Sequence, residues 1–127
     1  MGTIPGKRTT MSITSSSYID WNGVTGTPYR YWFLDTPRNP SSIKDEGGNY
    51  AFVKQLPNGN FVALYSGQAD SLRDRIPNHE RWNDAIRAGA THVMSHTTPS
   101  AVSRDLEEVD LIQQWNPILN EHHRTTV

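Results

Sequence analysis

Two tyrosines lie on either side of an Asn58-Gly59 pair, which is a strong signal for a tight β-hairpin turn. A hairpin centred on this pair places Tyr50 opposite Gly67. Because side chains alternate along a strand, Tyr50 and Tyr65 then fall on the same face, diagonally adjacent. Two phenols would converge there, beside a glycine that lets a ligand approach closely. The alternative interpretation is that both rings are packing residues of a small sheet.

A glutamate lies on the apolar stripe of the last predicted helix. Glu108 shares this stripe with Leu111, Ile112 and Trp115, which follow it at helical spacing. A carboxylate on an apolar stripe is costly unless it is paired or binds a cation. Glu108 is therefore a candidate metal ligand, the alternative being a residue at the edge of the stripe that reaches water.

The neighbouring glutamate receives a different interpretation. Glu107 aligns with Arg104, Asp110 and Gln114 on what we predict to be an ordinary solvated face of the same helix. Helical periodicity thus separates two adjacent glutamates, and we expect Glu107 to be exposed.

The basic side chains are strongly biased toward arginine, and four arginines fall within a short segment: Arg73, Arg75, Arg81 and Arg87. Arginine favours planar, bidentate contacts with phosphate. Aspartates and glutamates interleave with this cluster, so a solvated helix face is the alternative. The net charge of −1 gives no overall basic excess of the kind that a nucleic-acid binder usually has.

Bulk properties restrict the class of protein. The length of 127 residues fits one domain with a modest core. The chain has no cysteine, so we predict neither a disulfide nor a thiolate metal site. No apolar run is long enough to span a membrane, and the first ten residues lack the apolar stretch of a secretory signal. We therefore expect an intracellular protein.

Turn and cap residues divide the chain into segments. Residues 1–17 are polar and predicted to be disordered, and residues 18–45 form an aromatic-rich β extension and a linker. Residues 46–122 form the main domain, and residues 123–127 are a tail. In the main domain we predict strands at 50–56, 61–65 and 91–96, and helices from Asp70 or Ser71 to Ile76, from Glu80 to Ala88, and up to Trp115. This order predicts an α/β sandwich, with a central three-stranded, mostly antiparallel sheet between helices and an N-terminal β-hairpin extension.

Short motifs follow one another in a fixed order along the main domain. Gly48-Asn49-Tyr50 stands where a Gly-Ile-Tyr would be, and Tyr65-Ser66-Gly67 stands where a Tyr-Ile-Gly would be. Arg75 comes ten residues after Tyr65, and Asn120 comes twelve residues after Glu108. This series resembles the catalytic domain of the GIY-YIG nuclease family over well over half of the chain.

The resemblance implies a role for each matched residue. Tyr50 matches the first motif tyrosine, which positions or deprotonates the attacking water, and Tyr65 matches the second, which orients the phosphate. Arg75 matches an arginine that stabilises negative charge on the phosphate. Glu108 matches the single carboxylate that holds one divalent ion, Mg²⁺ or Mn²⁺. Asn120 matches an asparagine that supports the site.

Further positions are assigned by their place beside these residues. His79 occupies a position at which some family members carry a histidine, four residues after the arginine. Gln68 stands where some relatives have lysine, which removes a cation near the tyrosine. We predict substrate contacts at four positions: Gly67, Gln68, Arg73 and Arg81.

The implied activity is metal-dependent endonucleolytic hydrolysis of DNA, although the residues leave open whether DNA or RNA is cut. A symmetric homodimer, which would double the contact area on a duplex, is a further hypothesis. The alternative function is a non-catalytic module of the same fold that binds nucleic acid or protein. The acidic balance and the missing lysine favour that alternative, and the retained tyrosines, arginine and glutamate oppose it.

Overall fold

The computed structural model describes residues 18–120, so the predicted disordered segment 1–17 and the predicted tail 123–127 lie outside it. The strands are β1 (Tyr18–Asn22), β2 (Pro28–Phe33), β3 (Gly48–Gln55), β4 (Phe61–Ala69) and β5 (His92–Thr97). The helices are α1 (Leu72–Arg75), α2 (Trp82–Arg87) and α3 (Ala101–Trp115). Among residues 18–120, no helix has the length and apolarity that a membrane crossing requires.

All five strands form one antiparallel sheet in the order β1-β2-β5-β3-β4. The predicted α/β class is confirmed, but the predicted three-stranded sheet is wrong. The N-terminal hairpin is part of the sheet because β2 pairs with β5, with Trp32 opposite Ser95 and Phe33 opposite Met94. The backbone N–H of Leu34 continues this pairing by donating to the carbonyl oxygen of Val93.

Local signals set the short elements on the way to the site. The Ser71 side chain accepts a hydrogen bond from the Asp74 N–H and caps α1, as the sequence predicts. α1 ends at Arg75 shortly before Pro77, which cannot continue a helix. α2 is shorter than the predicted 80–88 segment and ends before Gly89, whose φ of 96° lies in the left-handed region.

The hairpin of β3 and β4 has the predicted pairing at its open end. Tyr50 lies opposite Gly67, and Phe52 lies opposite Tyr65. A bulge after Phe52 then shifts the register by one residue, so that Val53 pairs with Ala63. The tight turn predicted at Asn58-Gly59 is confirmed, with Gly59 at a φ of 92°.

The sheet separates two apolar cores. We call the face packed by α3 the α3 face, and the opposite face, packed by α1 and α2, the α1–α2 face. Buried residues on the α3 side are Ile19, Trp21, Tyr31, Ala51, Val53, Phe61, Met94 and Leu111. Buried residues on the α1–α2 side are Ile43, Tyr50, Phe52, Leu72, Ile76, Trp82, Ala85 and Val93.

The prediction of a solvated Glu107 is wrong. Glu107 is only 3% exposed, and its Oε2 accepts hydrogen bonds from the Tyr31 hydroxyl at 2.7 Å and contacts His96 Nδ1 at 2.9 Å. Asp110 is also buried and accepts hydrogen bonds from the hydroxyls of Thr25 and Tyr29, both at 2.7 Å. The N-terminal hairpin supplies these donors, so it stabilises carboxylates that helical periodicity alone assigned to solvent.

Arg104 is the third residue of this face that is buried against expectation. Its guanidinium donates to the carbonyl oxygens of Thr98 and Pro99 and to Asp70 Oδ1. The inward face of α3 therefore carries charged side chains whose hydrogen bonds connect the helix to the sheet and to the loop that precedes the helix.

We expect Tyr31→Phe to lower the free energy of unfolding by about 2 kcal/mol, because a hydrogen bond to a buried carboxylate is worth roughly 1.5–3 kcal/mol. Denaturant unfolding followed by circular dichroism measures this change. Gln113→Ala, an exposed substitution on α3, is the control and should stay within roughly 0.5 kcal/mol of wild type. A Tyr31→Phe effect no larger than the control would mean that the phenol does not stabilise Glu107.

Candidate active site

Tyr50 and Tyr65 lie side by side on the α1–α2 face, with ring centroids 6.2 Å apart. Tyr50 crosses directly over Gly67. A Cβ at that position would lie 2.7 Å from the Tyr50 hydroxyl oxygen, too close for any side chain. The space beside Gly67 is thus filled by the phenol of Tyr50 itself, and the glycine is needed for the packing of the tyrosine.

His79 reaches the same cluster through the turn between α1 and α2. Its Nε2 lies 2.7 Å from the Tyr50 hydroxyl, and its Nδ1 accepts a hydrogen bond from the backbone N–H of Arg81 at 3.0 Å. The side chain is buried, and burial lowers the pKa of His79 to about 4, with the nearby Arg75 adding to the effect. The imidazole is therefore neutral at neutral pH.

Arg75, the last residue of α1, supplies the positive charge of the cluster. Its two terminal nitrogens donate to both carboxylate oxygens of Glu80, at 2.6 and 3.0 Å. This bidentate contact raises the pKa of Arg75 and, together with a backbone hydrogen bond, lowers the pKa of Glu80 to about 2. Arg75 thus binds the Glu80 carboxylate in a bidentate geometry that would also suit a phosphate.

The two phenols remain protonated in this environment. Burial raises the pKa of Tyr50 well above its ordinary value and also raises the pKa of Tyr65. Arg75 acts in the opposite direction on both groups, but burial dominates. At neutral pH the cluster consists of two neutral phenols, a neutral imidazole and one guanidinium.

Glu108 approaches the cluster from the opposite layer, at the edge strand. Its Oε1 accepts a hydrogen bond at 2.9 Å from the side-chain amide of Gln68, which lies on β4 next to Gly67. The same amide nitrogen lies 3.3 Å from Asp105 Oδ1. The negative charge of Glu108 contributes to the raised pKa of Tyr65, after burial, so the carboxylate acts on the phenol across the edge of the sheet.

The donor set around Glu108 fits a hard divalent cation. Within residues 18–120, Glu108 forms no ion pair, and its second oxygen accepts no hydrogen bond. In the same range, no group of three or more His, Asp or Glu side chains is arranged to hold a metal ion. A single carboxylate is sufficient for Mg²⁺, because this ion commonly binds through one or two carboxylates and keeps several waters.

Asn120 holds the motif strand from outside the sheet. β4 is an edge strand, and the Asn120 side chain pairs with Ser66 on it. Its Oδ1 accepts from the Ser66 N–H at 2.8 Å, and its Nδ2 donates to the Ser66 carbonyl oxygen at 2.7 Å. Asn120 is buried, so it fixes the backbone between Tyr65 and Gly67 without touching the phenols itself.

We expect Asn120→Ala to lower the free energy of unfolding by about 2–3 kcal/mol, because it leaves the buried N–H and C=O of Ser66 without partners. Thermal and denaturant unfolding measure the loss. Gln114→Ala on the exposed side of α3 is the matched control. Equal stabilities of the two variants would show that the side chain does not clamp β4.

The remaining predicted substrate contacts lie around the α1–α2 side. Arg73 donates through Nε to the carbonyl oxygen of Ile43 at 2.9 Å. Arg81 pairs with Asp84 at 3.0 Å. The structure brings Tyr50, Tyr65, Arg75 and His79 together on one face and places Gln68 and Glu108 at the adjoining edge.

The sequence analysis did not predict the contacts of three residues at or near this site. Asp105 lies three residues before Glu108, a helical spacing that could have indicated its shared contact with Gln68. Glu80 has no such signal, because its pairing with Arg75 depends on the turn between the two short helices. Arg38 stacks on Trp82 with its guanidinium carbon 4.8 Å from the ring centroid, a contact made across a long loop.

The described residues thus form a three-layer α/β domain with a polar cluster on one sheet face and a carboxylate at the edge strand. The chain is similar to solved structures of the GIY-YIG N-terminal endonuclease domain of UvrC from Thermotoga maritima. One, bound to its catalytic divalent cation magnesium, matches with a TM-score of 0.52 at 20% identity, over 62% of this chain and 88% of that chain. Another, an asparagine-to-alanine mutant bound to its catalytic divalent cation, matches with a TM-score of 0.52 at 20% identity, over 63% and 88%.

These similarities define the fold: the chain has the fold of a GIY-YIG endonuclease domain, as the order of its motifs predicts. A tyrosine-to-phenylalanine mutant of the same domain matches at 22% identity with a TM-score of 0.50. No protein-family model matches the sequence, and no curated protein resembles it significantly.

Proposed function

We propose that this protein is a metal-dependent endonuclease that hydrolyses phosphodiester bonds in DNA. The observation that carries the proposal is the gathering of Tyr50, Tyr65 and Arg75 on the α1–α2 face, together with Glu108 of α3, whose carboxylate reaches Gln68 on the edge strand β4. The solved domains of the same fold are described as endonucleases bound to a catalytic divalent cation, which supports both the activity and the cofactor.

The protein's own groups divide the work of hydrolysis. Arg75 exchanges its bidentate partner Glu80 for the scissile phosphate and stabilises the charge that develops on the phosphate oxygens. Tyr65 orients the phosphate by donating its phenolic hydrogen. Tyr50 holds the attacking water or a phosphate oxygen from the same side. The raised pKa values of both phenols favour these donor roles over proton removal.

Glu108 would hold one divalent cation, Mg²⁺ or Mn²⁺, with water completing the shell. Such an ion supplies positive charge to the phosphate and to the leaving oxygen. Gln68 orients the Glu108 carboxylate through its amide, and Asn120 keeps β4 in the position from which Tyr65 and Gln68 project. Neither of these two residues needs to contact the reacting atoms.

Further binding of the substrate would come from the arginines around the α1–α2 face. Arg73 and Arg81 lie beside the cluster on the two short helices, and their side chains suit flanking phosphates. With a net charge of −1, one copy of the chain would bind duplex DNA weakly. A symmetric homodimer would add contact area, and light scattering at high concentration tests it. A strictly monomeric species would oppose it.

The direct test of the activity is nicking of supercoiled plasmid by the full chain in Mg²⁺, in Mn²⁺ and in excess chelator. We expect relaxed and linear DNA only with metal. RNA and single-stranded DNA of matched sequence serve as competing substrates. If RNA alone were cut, the protein would be a ribonuclease and the proposed DNA substrate would be wrong.

The second candidate function is a non-catalytic binding module. The sequestration of Arg75 by Glu80 and the negative net charge favour it. Electrophoretic mobility shifts without cutting, in every metal and on every nucleic acid tried, would select this candidate over the enzyme.

A further inference from the structure

We propose that His79 is a positioning residue which donates a hydrogen bond to Tyr50 and thereby leaves the Tyr50 hydroxyl free to donate its own hydrogen to the substrate. The histidine does not accept that proton. This inference rests on the proposed function only for the identity of the group that receives the Tyr50 hydrogen. The hydrogen-bond direction itself follows from the geometry of the turn before α2.

The first step concerns the Nδ1 side of the imidazole. The backbone N–H of Arg81 points at His79 Nδ1 at 3.0 Å. A backbone N–H can only donate, so Nδ1 must present its lone pair. Arg81 is fixed there by the turn in which Trp82 N donates to the carbonyl oxygen of His79.

The second step concerns the Nε2 side. A neutral imidazole with a free lone pair on Nδ1 carries its hydrogen on Nε2. That nitrogen lies 2.7 Å from the Tyr50 hydroxyl oxygen, so the imidazole donates and the phenol accepts. Arg75, which also acts on the Tyr50 hydroxyl, has no acceptor atom. Among the hydrogen bonds of residues 18–120, the Tyr50 hydroxyl has His79 as its partner and none takes the Tyr50 hydrogen.

The third step excludes a doubly protonated imidazole. His79 is 4% exposed, and Arg75 and Arg81 both disfavour a further positive charge on it. Among residues 18–120, the carboxylate that forms an ion-pair contact with His79 is that of Glu80, which lies 3.9 Å from Nδ1 and already binds Arg75. The resulting pKa of about 4 keeps the ring neutral throughout the range in which a nuclease is assayed.

The ring is also held rigidly by its aromatic neighbours. Tyr50, Phe52 and Tyr65 all contact the imidazole edge to face, with centroids 5.4, 5.1 and 4.9 Å away. Rotation to exchange the two nitrogens would break both hydrogen bonds and this packing. The orientation of the buried Tyr50 hydroxyl is therefore set before any substrate binds.

The competing arrangement is a relay in which His79 removes the Tyr50 proton and the phenolate attacks a water proton. It requires an unprotonated Nε2, and the two arrangements therefore place the hydrogen on opposite nitrogens. They also differ in pH behaviour, because a relay would tie cutting to the ionisation of His79.

The tautomer can be measured without any assay of cutting, by long-range ¹H–¹⁵N NMR of the histidine side chains in the full chain. We expect His79 to show a protonated Nε2 and an unprotonated Nδ1 at neutral pH, with no change on mild acidification. The His79→Gln spectrum assigns the resonance, and His92→Gln provides the matched assignment control. A hydrogen on Nδ1, or a ring that becomes doubly protonated near pH 6, would overturn the proposal.

Activity then tests the consequence. His79→Gln offers an amide N–H to Tyr50, and we expect it to retain cutting within about tenfold of wild type, with the same pH profile. His79→Leu offers no donor and should lose about a hundredfold in kcat with little change in KM. Equal losses in both variants, at unchanged unfolding free energy, would favour the relay. The expected tautomer in a protein that cuts nothing would refute the proposed function but leave the hydrogen-bond assignment intact.

Discussion

Replacing Glu108 by glutamine should reduce metal-dependent cutting about a thousandfold, at the upper end of what the loss of one electrostatic group costs an enzyme. Glutamine keeps the shape and can still accept the Gln68 hydrogen bond, but it removes the negative charge that would attract a divalent cation. Plasmid nicking measures the activity. Isothermal calorimetry with Mn²⁺ measures binding of the ion independently.

The neighbouring carboxylate provides the control for this substitution. Asp105 contacts the same Gln68 amide, but at the longer distance of 3.3 Å, and its side chain is exposed. Asp105→Asn should therefore lower Mn²⁺ affinity by about tenfold, at the lower end of the range typical of groups that only orient a ligand. Normal cutting by Glu108→Gln would eliminate the metal assignment. Equal effects of both substitutions would indicate that the two carboxylates hold the ion jointly.

Arg75→Lys should lower kcat by about a hundredfold, although it keeps the positive charge. Lysine lacks the planar fork that makes two parallel hydrogen bonds, which Arg75 makes here to Glu80 and would make to a phosphate in its place. Single-turnover cutting of an oligonucleotide measures the chemical step and separates it from binding.

Glu80→Gln is the matched variant, because it frees the same guanidinium. We expect tighter substrate binding, by several-fold in KM, with kcat retained, since the substrate phosphate no longer competes with a carboxylate for Arg75. Weaker binding in Glu80→Gln would mean that Glu80 orients Arg75 for the substrate. Wild-type kcat in Arg75→Lys would remove Arg75 from the transition state.

The motif hairpin was predictable from the sequence because its determinants are local. The Asn58-Gly59 turn and strand alternation are sufficient to place Tyr50 opposite Gly67 and beside Tyr65. Ser71 and Pro77 likewise mark the limits of α1, and so bring Arg75 to the end of a helix next to the sheet. Glu108 and Asn120 are too far along the chain from the hairpin for local rules to place them, and they were predicted from the order of the motifs instead.

The errors arose where partners are distant in sequence. Glu107 and Asp110 lie on a face of α3 that looks solvated, and the groups that bury them are hydroxyls 76 and 85 residues earlier in the chain. The central sheet was predicted too small for the same reason: the N-terminal hairpin was treated as an extension, whereas β2 joins the sheet through β5, about 60 residues later. Helical periodicity and turn signals contain no information on such contacts.

The position of Asn120 has a consequence for how this protein can associate with itself. By occupying the outward N–H and C=O of Ser66, and with Leu119 bonded to Leu64, the segment after α3 covers the free margin of β4. Pairing of this edge with a strand of another copy, in a sheet shared between subunits or in a fibre, is thereby prevented. The other outer strand, β1, pairs on its outer side with no strand of residues 18–120, and it lies at the far end of the sheet from the phenols.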